Sequence, residues 1–104
     1  MRPKIIAVDF DGCLAVDRYP EIGDPIAETV ARLLAEQAAG AKVILWTCRH
    51  DGHLAAAVEW CAALDIYFDA VNENLPCMTA LYGESRKVGA DEYWDDKAVR
   101  VPHG

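Results

Sequence analysis

Three things are scarce in this chain of 104 residues. Basic charge is the first: 10 Lys and Arg stand against 17 Asp and Glu, a formal net charge of −7. A protein built to neutralise nucleic-acid phosphates needs a basic face, so the balance argues against long nucleic acid as a partner and leaves small phosphorylated molecules open. Long apolar runs are the second. The longest near the N-terminus, Ile5–Val8, closes at Asp9, too short for a signal-peptide core or a membrane span. No membrane association is expected, and the chain reads as cytoplasmic. Paired cysteines are the third: Cys13, Cys48, Cys61 and Cys77 form no C-x-x-C pair, so neither a zinc knuckle nor a redox motif is suggested and they read as reduced thiols.

What is present is an ordinary globular composition, 53% hydrophobic, 26% charged and 9% aromatic, sufficient for one domain spanning 1–104 with one modest core. Residues 4–10 are β-branched and apolar up to Asp9, the pattern of a strand buried on both faces, and 42–46 repeat it. Ile26, Val30, Leu33 and Leu34 fall at helical spacing, with Asp24 as expected N-cap, Pro25 at the first position and Gly40 as the stop. Leu54, Val58, Cys61 and Ala62 set a second helix over about 52–64. A short strand is expected at 66–68 and a last one at 90–94. Residues 13–24 read as a loop, and 72–86, with Pro76 and Gly83, as loop or irregular helix.

Alternating strand and helix imply an α/β protein, a Rossmann-like three-layer sandwich with a parallel sheet and right-handed crossovers. In such sheets ligands bind outside the carboxyl ends of the strands. Three of the four expected strands end there in polar clusters: Asp9 with Asp11, Thr47 with Cys48 and Arg49, and Asp95 with Asp96. Two carboxylates two residues apart on an extended chain point the same way. Adding Asp95 and Asp96 crowds four like charges, which demands raised pKa values or a bound cation. All-oxygen donors select a hard ion such as Mg²⁺. The plainer alternative is turn capping by Asp9 or Asp11 and a solvated strand end at Asp95 and Asp96.

Asp9-Phe10-Asp11-Gly12-Cys13-Leu14, a strand ending in Thr47, and Lys87 followed by Asp95-Asp96 together resemble the four signature motifs of the haloacid dehalogenase (HAD) superfamily of phosphohydrolases. Arg18 to Gly23, Ile44 to Arg49 and Lys87 to Asp96 resemble, more narrowly, small HAD-like members with no cap domain, and the likeness spans nearly the whole chain. It implies Asp9 as the nucleophile that forms an aspartyl-phosphate and Asp11 as general acid and base. Thr47 would hold the phosphoryl oxygens, and Lys87 would orient nucleophile and phosphate. Asp95 and Asp96 would complete Mg²⁺ coordination with the Asp9 carboxylate and the Asp11 backbone carbonyl. The expected function is a Mg²⁺-dependent phosphatase acting on a small phosphomonoester. The alternatives are a phosphotransferase of the same fold, a catalytically silent metal- or phosphate-binding module, and a receiver-like phosphoacceptor domain. Cys13 stands where this family usually has Thr, and a thiol donates more weakly than a hydroxyl.

Other residues carry less. Cys48 and Arg49 are candidates for substrate contact, against the alternative that Arg49 is a solvated strand-end residue. His50 and His53 lack further ligands for a metal site. Trp46, Trp60, Tyr67 and Trp94 read as core or sheet-covering residues. The segment with Tyr19, Pro20 and Glu21 is the candidate for substrate selection, or else a plain flap. An open site leaves water poorly excluded, so a homo-oligomer, a dimer first, is expected, with Tyr67, Phe68 and Trp94 as contact surface.

Overall fold

The computed structural model describes residues 2–102. Four parallel strands form one sheet in the order β5-β4-β1-β6, made of β1 (Ile5–Val8), β4 (Lys42–Leu45), β5 (Ala70–Val71) and β6 (Glu92–Trp94). β1 is central, paired with β4 through Ile5 and Lys42 to Val8 and Leu45, and with β6 through Ile6 and Glu92 to Val8 and Trp94. Its four side chains are all buried, which is why its sequence is apolar without alternation.

The pleat sends Ile6 and Val8 to one face and Ile5 and Ala7 to the other. On the first face, Val43 and Leu45 of β4 join them. Leu33 of α1 (Ala27–Ala38) and Ala57 and Cys61 of α2 (Asp51–Ala62) complete the larger cluster. On the second, Ile44, Ala70, Leu75 and Val88 pack with Met78 of α3 (Pro76–Tyr82). Helices on both faces make the three-layer, Rossmann-like α/β fold that the strand–helix alternation implied. Full burial of each large aliphatic side chain contributes roughly 1.5–3 kcal/mol, so the sheet faces are the main source of stability.

The strand order matters for function. From β1 the chain steps outward to β4 and β5 with α1 and α2 on one face, then returns by α3 on the other face to β6 on the far side of β1. The connections therefore reverse between β1 and β6, the point at which a crevice opens outside the carboxyl ends of such a sheet. Among the described residues, no helix is long and apolar enough to cross a membrane.

Three local expectations are corrected. Residues 13–24 are not simply a loop: β2 (Ala15–Arg18) and β3 (Glu21–Pro25) form an antiparallel hairpin. Because Ala15 pairs with Pro25 and the Ile26 N–H donates to the Leu14 carbonyl at 2.9 Å, the chain stays extended past Asp24. α1 thus starts at Ala27 with Ile26 at its cap and no side-chain cap bond. Residues 66–68 are not a strand, since Ile66 donates back to the Cys61 carbonyl and buries its side chain under α2. Pairing with β4 begins at Asp69, whose N–H and carboxylate both bond Val43. Of the residues assigned to a contact surface, Tyr67 is exposed, while Phe68 and Trp94 pack against the larger core.

Candidate cation and phosphate site

The hydrogen-bond ladder carries Asp9 directly off β1. Its N–H donates to the Trp94 carbonyl at 2.9 Å, and the next residue along β4, Trp46, donates to the Val8 carbonyl at 2.9 Å. Asp9 is therefore fixed at the crevice, half-buried, with Oδ1 accepting the Phe10 N–H at 2.7 Å. Asp95 and Asp96 follow β6 across the reversal point. Asp9, Asp95 and Asp96 each bring a carboxylate oxygen within 4.8 Å of the others. A Mg²⁺ ion with oxygens at about 2.1 Å spans donors up to about 4.2 Å apart, close to the spacing of these three acids. The donor set is hard and anionic, and it fits such an ion.

Burial first, then the charges of Asp95, Asp96 and Asp11, push the Asp9 carboxyl up to about 6, against the opposing Phe10 N–H bond. Gly12 explains how the acid pair comes so close. Its φ is +82°, and a Cβ placed there would stand 2.3 Å from Asp96 Oδ2. Only glycine meets both demands. Cys13 is buried and its thiol donates to the Trp94 carbonyl at 3.6 Å. Burial, and then Asp9, Asp95 and Asp96, push that thiol up to about 11, which keeps it a donor and not a nucleophile. Beside the carboxylates opens a cavity of about 970 Å³ lined by Gly12, Cys13, Trp94, Asp95, Asp96 and Arg32. The Arg32 guanidinium lies 4.7 Å from the Trp94 ring centroid.

Asp11 does not join the three-carboxylate group. Both its oxygens are taken by Arg49, Nε to Oδ2 at 2.8 Å and Nη2 to Oδ1 at 2.7 Å. Arg49 is thus not a solvated strand-end residue: it is 2% exposed, the one buried charged side chain among the described residues. The reason is its full set of partners, because a guanidinium leaves water only when its donors are satisfied. Thr47 stands at the end of β4, where its N–H donates to Asn72 Oδ1 at 2.8 Å and its Oγ1 accepts the Arg49 N–H at 3.2 Å. Among the described residues its hydroxyl proton has no acceptor. Cys48 is exposed, its thiol unpaired.

Lys87 is not brought to the carboxylates. It lies on the segment leading into β6, its ammonium 5.9 Å from the Tyr93 ring centroid. There it lines a separate pocket with Asn74, Met78 and Tyr82, and among the described residues it forms no ion pair. Sequence spacing placed it near Asp95 along the chain, but it precedes β6 and Asp95 follows it, so the strand separates them. The roles of Arg49 and Asn72 have no signature in sequence spacing. Asn72 takes φ +53°, which an Asn tolerates better than most residues.

These features define an α/β protein with a cluster of three acidic side chains at the reversal point of a parallel sheet. No family model matches the chain, and no curated protein does. Among solved structures, that of a conserved protein coded by a locus from Bacteroides thetaiotaomicron is 39% identical, with a TM-score of 0.84 over 98% of this chain and 84% of that one. The chain belongs to the same family as that protein.

Proposed function

We propose that this protein is a Mg²⁺-dependent phosphomonoesterase of the haloacid dehalogenase type, acting on a small phosphorylated molecule in the cytoplasm. The convergence of Asp9, Asp95 and Asp96 within 4.8 Å at the sheet's reversal point carries the reading. Asp9 would use a carboxylate oxygen to form a bond to phosphorus as the bond to the leaving oxygen breaks. Asp11 would protonate that oxygen and then take a proton from the water that releases phosphate. Arg49 occupies one lone pair on each Asp11 oxygen, and a carboxylate oxygen has two, so a site for the proton remains. A bound cation, held by Asp9, Asp95 and Asp96, would supply positive charge to the equatorial phosphoryl oxygens. The Thr47 hydroxyl is the candidate donor to those oxygens. A phosphotransferase would share the first half of this scheme and differ in the acceptor.

One observation favours a second reading, a module that binds a divalent cation without turnover: Lys87 pairs with none of the site carboxylates. Phosphate release from p-nitrophenyl phosphate with and without Mg²⁺ separates the two. Turnover that requires Mg²⁺ and falls below a few per cent in Asp9→Asn, with the fold intact by circular dichroism, is expected. Mg²⁺ binding without turnover on any of a panel of phosphorylated metabolites would select the silent module.

A further inference from the structure

Arg49 does more than neutralise Asp11. Its Nη1 donates to the Pro20 carbonyl at 3.1 Å and its Nη2 to the Glu21 carbonyl at 2.8 Å, so the fork that grips Asp11 also grips the turn of the β2–β3 hairpin. The guanidinium lies between two rings, 5.0 Å from the Phe10 centroid and 5.1 Å from that of Tyr19. Tyr19 in turn meets His53 of α2 edge-on, with centroids 5.5 Å apart. One buried side chain therefore connects the segment after β1, the hairpin turn and the segment after β4. The hairpin has little else to hold its tip, because β2 beyond Ala15 and the whole of β3 lack a fully buried residue.

We propose that Arg49 is a positioning residue that fixes the Asp11 carboxylate and the hairpin turn as one rigid unit, so that the seating of the turn and the aim of Asp11 are coupled. The planar fork is essential to this role. Lysine carries the same charge as a single point and cannot bond two carboxylate oxygens and two carbonyls at once. The coupling runs both ways: loss of the Asp11 charge frees the turn, although Asp11 lies outside the hairpin, and loss of the fork frees Asp11.

The coupling itself is a matter of structure; its effect on turnover rests on the phosphatase reading. Amide hydrogen exchange on the full chain tests the coupling without any enzyme assay, comparing the unmutated protein with Arg49→Lys and Asp11→Asn. At least tenfold faster exchange over residues 16–23 in both variants, with β1 and β4 unchanged, is the expected result. Unchanged hairpin exchange in a folded Asp11→Asn protein would overturn the proposal, as would an equal rise across the whole sheet. Should Arg49→Lys fail to fold, the Asp11 variant decides alone. With p-nitrophenyl phosphate, Arg49→Lys should lower kcat more than tenfold while KM moves less than threefold, and Arg49→Gln should fall no less than Arg49→Lys. A KM effect alone would mean that Arg49 contacts substrate and does not position Asp11. Absence of turnover in the unmutated protein overturns only the phosphatase reading, and the exchange result still decides the coupling.

Discussion

Replacing Asp9 by Asn should stabilise the cation-free protein at pH 8 and leave it unimproved at pH 4. Burial and the neighbouring carboxylates hold this group at about 6, against 3.8 for a free aspartate. Between those values the folded protein keeps a proton that the unfolded chain has released. The associated stability is complete below about pH 4 and lost as pH rises through about 6. A shift of about two units corresponds to at most about 3 kcal/mol, and the water on the open side of this half-buried group reduces it. Each kcal/mol is about 4–8 °C in melting temperature for a domain of this size. The Asn variant should therefore melt at least about 4 °C higher than the unmutated protein at pH 8 in chelator. Mg²⁺ should reverse the ranking. At about 100 times its dissociation constant it should stabilise the unmutated protein by about 2.7 kcal/mol, and the variant, short of one ligand, by much less. Scanning calorimetry at both pH values, with chelator and with millimolar Mg²⁺, measures all of this. Equal melting temperatures at pH 8, or an equal gain at pH 4, would refute the reasoning, since an uncrowded aspartate produces neither pattern.

Gly12→Ala should cost about 1–3 kcal/mol through backbone strain and weaken Mg²⁺ binding in titration calorimetry, because the new methyl meets Asp96; undiminished binding would mean that the acid pair sits elsewhere. Hydrogen bonds from the Arg2 side chain, and then from the Ile5 N–H, hold Asp91 below the usual carboxylate range. The stability it contributes is present above about pH 4 and lost as pH falls. Asp91→Asn should therefore flatten the acid limb of melting temperature against pH, and an unchanged limb would count against the pairing.

The buried strands were legible because β1 and β4 carry apolar residues with no alternation, and the strand–helix order then implied the three layers. Asp9 was legible for the same reason, as a carboxylate directly after a buried strand, and Asp95 and Asp96 because they close the short run that forms β6, beside β1. The hairpin was not, because Val16, Arg18 and Glu21 are exposed. An exposed ribbon whose tip is held by carbonyls leaves no hydrophobic period to detect. The burial of Arg49 was not legible, since burial of an arginine depends on partners contributed by Asp11, Pro20 and Glu21, far away in sequence. Lys87 was misplaced because spacing along the chain does not say which end of a strand a residue occupies.

Until β6 docks, β1 has a ladder partner on one side only, and Asp9 stands without the two acids that face it. A nascent chain that has emerged as far as α3 carries the whole of β4 and β5 but not the acid pair that faces Asp9, and its central strand presents an open edge to any passing extended segment. The proposed affinity for a divalent ion would arrive in one step with Asp95 and Asp96, directly after the last of the described strands. On the proposed reading, an ion held there would inspect finished assembly: it would fasten β6 to β1, and a product truncated before Asp95 would lack two of the three acids and go unfastened.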